Sequence, residues 1–263
     1  MAKKKKNSRS GYSASNAQEI TNAAKTLYAN ICFTSVDKPI RSIVVTSTVP
    51  SEGKTTTSIN LARAVATSGK TVLLVEADLR RRTLGHDLGI RPKSGIYGVL
   101  SGTCALSAAL SRTDTANVYF LDAEAGIPNP ADIFSSKRFA ALAEKLVERI
   151  DFVIFDTPPV GTFVDAAILS TIADGVVFVV RPGTAKRSAI VNAYEQLTKA
   201  GANILGVCGT FTESLNSGYY YAYYTKEGNR ATPPSAKLNN QAVEEGEIYH
   251  AKLIFRKNPN QTN

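Results

Sequence analysis

Tryptophan is absent from this chain of 263 residues, methionine occurs once, histidine twice and cysteine three times. His86 and His250 are too few for a histidine-based metal site. Cys32, Cys104 and Cys208 are widely spaced and odd in number. They match neither a zinc pattern nor a disulfide framework, and a reducing cytosol is the compartment that suits them. Long apolar runs are missing as well. The longest are of the size of Val176–Val180, so no segment is expected to cross a bilayer as a helix. The N-terminus begins with lysines and lacks an apolar stretch after them, so no secretory signal is readable. What remains is ordinary globular material, 43% hydrophobic and 20% charged, and long enough for a substantial core.

Positive charge is unevenly spread. The chain has 31 Lys and Arg against 22 Asp and Glu, a formal charge of +9. Lys3 to Lys6 and Arg9 supply five positive charges within the first nine residues, which hold no acid. Residues 1–15 are therefore expected to form a flexible basic arm. Residues 16–38 hold a helical stretch, Ala17–Asn30, ended before Pro39. From 39 to about 210 apolar strands alternate with amphipathic helices. Ser42–Thr46, Thr71–Val75, Val118–Leu121, Phe152–Phe155, Gly175–Val180 and Asn203–Cys208 read as strands. Lys54–Ser68, Ala131–Ile150, Val164–Ile172 and Ala185–Ala200 read as helices. Continuous rather than alternating apolar strands are buried on both faces, so the expectation is a doubly wound, mostly parallel α/β sheet. After Gly209 the pattern stops, and 211–263 is expected to be a flexible tail.

Between the first strand and the first long helix stands Thr48-Val-Pro-Ser-Glu-Gly-Lys-Thr55. The phosphate-loop pattern is G-x-x-x-x-G-K-[ST], and Thr48 occupies its first glycine position. Gly53 lets the backbone approach an anion, Lys54 reaches the outer phosphates, and the Thr55 hydroxyl suits Mg²⁺. The backbone from Pro50 through Ser51, Glu52, Gly53, Lys54 and Thr55 to Thr56 is thus the candidate ATP-binding loop. The plain alternative is an exposed turn that merely caps a helix. A strand before and a helix after favour the nucleotide loop of a P-loop NTPase fold. Asp156 at a strand end and Asp78 just past another fall on the same sheet edge, where ligands bind in such sheets.

Three stretches together resemble the bacterial tyrosine kinases of capsule and exopolysaccharide systems, over about Ala17 to Tyr224. They are Thr48–Thr55, Val72-Leu-Leu-Val-Glu-Ala-Asp-Leu-Arg80 and Phe152-Val-Ile-Phe-Asp-Thr-Pro-Pro159. The resemblance implies Mg²⁺ and ATP as cofactors, with Lys54, Asp78 and Asp156 catalytic and Thr55, Asp78 and Asp156 holding the metal. It implies that Asp78 is also the base toward a tyrosine hydroxyl. Tyr219, Tyr220, Tyr221, Tyr223 and Tyr224 are similar to the family's phosphoacceptor cluster. An aromatic docking patch is the other reading of those tyrosines. The implied partners are a membrane-spanning modulator of the polysaccharide co-polymerase type, carried on a separate protein, and a phosphotyrosine phosphatase. The implied place is cytoplasmic, at the inner face of the membrane, with no specific nucleic acid. A homo-oligomer is implied through an N-terminal helix whose E-x-x-R-x-x-R-T-N pattern is reduced here to Lys25 and Asn30.

The sequence departs from the family at three further points. Ser51 stands at a usual glycine, Glu76 at a usual aspartate, and Thr210 where an asparagine lies near the adenine. Two other readings share the fold. A membrane- or DNA-associated ATPase of the MinD and ParA type would carry an additional lysine early in the loop, and Thr46–Glu52 has none. A non-catalytic ATP-binding regulator of polysaccharide assembly would bind nucleotide without transfer.

Overall fold

A computed structural model describes residues 14–35, 38–127, 129–212 and 252–254. In chain order the elements are α1 (Ala14–Phe33), β1 (Ser42–Ser47), α2 (Lys54–Ala66), β2 (Val72–Glu76), α3 (Leu84–Asp87), α4 (Ile96–Ser101), α5 (Leu106–Ala109), β3 (Leu110–Arg112) and β4 (Val118–Leu121). They continue with α6 (Pro130–Phe134), α7 (Lys137–Arg149), β5 (Phe152–Asp156), α8 (Asp165–Leu169), β6 (Gly175–Val180), α9 (Arg187–Lys199), β7 (Ile204–Gly209) and β8 (Lys252–Ile254). The strands form one sheet in the order β3-β4-β2-β5-β1-β6-β7-β8. Its six inner strands run parallel, and β3 and β8 pair antiparallel at the two edges.

Every residue of β1, β2 and β5 is buried. The two-residue period of a strand sends alternate side chains to opposite faces, so a strand covered on both sides must be apolar throughout. Ile43, Val45, Val72, Leu74, Phe152 and Ile154 meet α1 and α2 through Leu27, Ile31, Leu61 and Val65. Val44, Leu73, Val75, Val153 and Phe155 meet the opposite layer through Phe139, Leu142, Leu146, Leu169 and Leu197. Each such side chain contributes about 1.5–3 kcal/mol on burial. Among the described residues no helix is long and apolar enough to cross a membrane.

The structure differs from the sequence reading in three places. The helix expected over Ala131–Ile150 is two helices, α6 and α7. Ser136 separates them, its hydroxyl accepting from Phe139 N at the start of α7 and donating to Ile133 O at the end of α6. A serine that bonds the backbone on both sides stops one helix and caps the next. The segment read wholly as a tail supplies β8, which pairs with the outer edge of β7. That edge would otherwise present unpaired N–H and C=O groups. The stretch between β2 and β4, unassigned from sequence, holds three short helices and the edge strand β3. Tyr28 of α1 packs its ring edge-on against Phe152 at 5.9 Å and lies under Lys70 Nζ at 5.6 Å. It serves the chain's own core. Residues 1–13 of the basic arm and the cluster Tyr219–Tyr224 lie outside the described residues.

Candidate active site

Parallel strands carry their chain ends to one edge, and there the loop between β1 and α2 begins. Ser51 and Gly53 turn it with positive φ, 64° and 89°. Glycine adopts the second at no steric cost, and an ideal Cβ on Gly53 would stand 3.3 Å from Thr210 Cγ2. Pro50 and Ser51 face outward, while Lys54 is buried with 9% exposure and Thr55 and Thr56 are half-buried. The N-terminal N–H groups of α2, Lys54 onward, face this edge and favour an anion.

Glu52 was expected among the nucleotide-binding residues, and its side chain turns inward. It is fully buried. Oε2 accepts from Thr48 N at 2.8 Å and Val49 N at 2.9 Å, and Oε1 accepts from Arg181 N at 3.2 Å. Thr210 donates its hydroxyl to Glu52 O at 2.6 Å, so it too faces the loop's interior. The loop is therefore shaped from behind by a carboxylate that ties the ends of β1 and β6 together, with its backbone tied to the end of β7.

Asp156 ends β5 beside Glu76, the last residue of β2, in cross-strand register. Asp156 Oδ2 accepts from the Thr55 hydroxyl at 2.7 Å and Oδ1 from the Ser58 hydroxyl at 3.0 Å. The Thr55 hydroxyl is also 3.1 Å from that of Thr83. Glu76 Oε2 accepts from Thr83 N and Leu84 N at 2.8 and 2.9 Å, and Oε1 from Asp78 N at 3.2 Å. Two buried carboxylates on neighbouring strands resist ionisation. Burial first, and the charge of Asp156 second, push Glu76 up to about 9. Burial pushes Asp156 up as well, against the pull of the Thr55 hydroxyl and the Lys54 charge. Asp78 is raised by burial against the Arg81 N–H and the Lys54 charge.

The structure thus brings together Lys54, Thr55, Asp78 and Asp156, four of the residues expected from sequence. Ser58, Thr83 and Glu76 join them. Thr83 and Ser58 are ordinary helix-region hydroxyls with no motif to mark them. Glu76 was visible only as a departure from a pattern. Thr55, Asp78 and Asp156 present hard oxygen donors at this edge, a donor type that suits Mg²⁺. The cation would relieve the carboxylates that burial now holds back.

A phosphate-shaped loop at the carboxyl end of a doubly wound sheet defines the class, a P-loop nucleotide-binding domain. A family model described as an AAA domain matches residues 40–205. Tyrosine-protein kinase YwqD of Bacillus subtilis is 35% identical over 205 residues, 78% of this chain and 86% of its own. Tyrosine-protein kinase CpsD of Streptococcus pneumoniae serotype 4 is 37% identical over 193 residues, 72% of this chain and 85% of its own. The kinase domain of the Escherichia coli tyrosine kinase ETK superposes with a TM-score of 0.68 at 26% identity, covering 71% of this chain and 73% of its own. The septum site-determining protein MinD of Pyrococcus horikoshii, solved with Mg-ADP, scores 0.55 at 27% identity, covering 64% of this chain and 68% of its own. The chain belongs to the bacterial tyrosine kinase family, and by that membership it is a P-loop tyrosine-protein kinase.

Proposed function

We propose that this chain transfers the γ-phosphoryl group of ATP to tyrosine, chiefly to Tyr219, Tyr220, Tyr221, Tyr223 and Tyr224 of its own C-terminal segment, as a regulator of capsular or exopolysaccharide assembly. The observation that carries the reading is the convergence of Lys54, Thr55, Asp78 and Asp156 at the mouth of the phosphate loop. Lys54 and the loop N–H groups hold and neutralise the outer phosphates. Thr55, Asp156 and Asp78 hold Mg²⁺, which when bound screens the phosphate charge. Asp78 takes the proton from the tyrosine hydroxyl as the new P–O bond forms and the bridging β–γ P–O bond breaks.

β7 ends at Gly209, on the same sheet edge as the loop. The roughly ten residues between Cys208 and Tyr219 reach up to about 35 Å when extended. Transfer within one chain or to a neighbouring copy is open to them. The proposed partners are a membrane-spanning polysaccharide co-polymerase-type modulator, which would recruit the kinase to the inner face of the membrane, and a phosphotyrosine phosphatase that resets the tail. The crystal structure of the chimerical protein CapA2B2, 32% identical to this chain, with a TM-score of 0.67 over 70% of this chain and 81% of its own, supports a two-component arrangement.

The test is incubation of the purified chain with Mg²⁺-ATP, with and without the cytoplasmic segment of a candidate modulator, and phosphotyrosine mapping by mass spectrometry. Phosphate on Tyr219–Tyr224 that disappears in Lys54→Met is the expected result. Unmodified tyrosines with ATP bound would leave a non-catalytic nucleotide-binding regulator in its place.

A further inference from the structure

Asp165 is the first residue of α8 and its side chain is fully buried. A buried carboxylate needs a partner, because removal from water costs several kcal/mol per ion. The partner comes from another loop. Arg80 Nη1 stands 2.7 Å from Asp165 Oδ2, and the guanidinium lies 4.2 Å from the centre of the Phe163 ring. Arg80 belongs to the loop that follows β2 and carries Asp78. Phe163 and Asp165 belong to the segment that follows Asp156. The pair therefore joins the two loops that hold the site's acidic residues.

The backbone of the same arginine reaches Asp78. Asp78 Oδ1 accepts from Arg80 N at 3.3 Å and from Arg81 N at 2.9 Å. This fixes the direction of the carboxylate relative to its own turn. Other ties hold the turn from behind: Glu76 accepts from Asp78 N, Thr83 N and Leu84 N, and the Arg82 guanidinium donates to Ala123 O. Arg80 is the tie toward α8. An always charged, flat group suits it, since it can stand close to a buried carboxylate while its face lies over a ring; the contact with Asp165 is an ion pair, with no aligned hydrogen bond to either carboxylate oxygen.

We propose that Arg80 is a positioning residue for phosphoryl transfer: by pairing with buried Asp165 and stacking on Phe163 it clasps the Asp78 loop to the segment after Asp156, and so sets where Asp78 stands relative to Lys54, Thr55 and Asp156. The proposal rests on the role given to Asp78 above. Asp165 acts through Arg80 in the same way.

The variants are Arg80→Lys, which keeps charge and loses the planar stack, and the double variant Arg80→Met with Asp165→Asn, which leaves no buried charge unpaired. Asp78→Asn is the reference. Three quantities are read on the full chain: the initial rate of phosphotyrosine formation at saturating ATP, the affinity for fluorescent ADP with and without Mg²⁺, and hydrogen exchange of the 78–83 amides without nucleotide. A displacement of about 1 Å at a reacting group costs on the order of 100-fold in rate. The double variant is therefore expected to lose roughly 100-fold in rate and Arg80→Lys about tenfold. Both should exchange the 78–83 amides faster, keep metal-free ADP affinity within about twofold, and lose most of the Mg²⁺-dependent gain. A double variant with wild-type rate and Mg²⁺ gain, beside an Asp78→Asn that has lost both, overturns the clasp alone. Equal loss of metal-free ADP affinity and rate also overturns it, since the pair would then serve only general stability. An Asp78→Asn that keeps both removes the role of Asp78 and the clasp with it.

Discussion

A single carboxylate, that of Glu52, holds the start of the phosphate loop in shape, accepting from three backbone N–H groups with no exposure to solvent. Each buried N–H left without an acceptor costs about 1–3 kcal/mol. Glu52→Ala is expected to destabilise the chain by about 3 kcal/mol and to abolish nucleotide binding, while Glu52→Gln, keeping one acceptor oxygen, loses less. Urea unfolding and titration with fluorescent ADP measure both, and an alanine variant of normal stability would remove the role. Glu76 supplies a second prediction at this scale. The unfolded chain releases its proton near the ordinary value of 4.5, whereas the folded chain keeps it to about 9. Across that window the folded state binds more protons, so stability falls as pH rises. Without nucleotide the melting temperature should drop between pH 6 and pH 8.5, and Glu76→Gln should flatten the slope. Saturating Mg²⁺-ADP should also reduce it, because the cation favours the charged forms. An unchanged slope in Glu76→Gln would place the pH dependence in other groups.

Between elements, the contact that matters most is that of the β5–α8 loop with the phosphate loop. Val160 N donates to Ser47 O at 2.9 Å, and an ideal Cβ on Gly161 would stand 2.3 Å from Thr48 O. Backbone cannot yield as a flexible side chain can. Gly161→Ala is expected to cost about 1–3 kcal/mol through the forced separation of the two loops. ADP affinity should fall with it, and differential scanning calorimetry beside ADP titration would show both; an unaltered alanine variant would mean that the loops are free to part. At this scale the sequence was most legible where hydrophobic periodicity is strong. β6 lies at Gly175–Val180 as read, and β1, β2, β5 and β7 fall within a residue at each end. It was least legible for α3, α4 and α5, whose four to six residues carry too little periodicity to separate from loop. The break between α6 and α7 was hidden because Ser135 and Ser136 are tolerated inside helices as well as at their ends.

For the whole molecule, charge is the quantity that phosphorylation would change. Five phosphotyrosines at about −1.5 to −2 each would bring roughly −8 to −10. That offsets the formal +9 of the chain. Extensive modification of Tyr219–Tyr224 is expected to make neighbouring tails repel and to weaken self-association, more so at low salt. Light scattering at matched concentration before and after phosphatase treatment measures this, and equal masses would end the idea. The doubly wound parallel sheet, the phosphate loop with Lys54 and Thr55, and the strand-end acids Asp78 and Asp156 are legible in the linear chain. Those features are local: a strand's composition, a helix's period and a motif's spacing are written in consecutive residues. Folding is needed before Glu52 faces inward, Glu76 lies beside Asp156, Ser58 and Thr83 join the site, β8 pairs with β7 and Arg80 reaches Asp165. Each of those depends on which strands become neighbours, and pairing between residues far apart in the chain leaves no periodic trace within either partner.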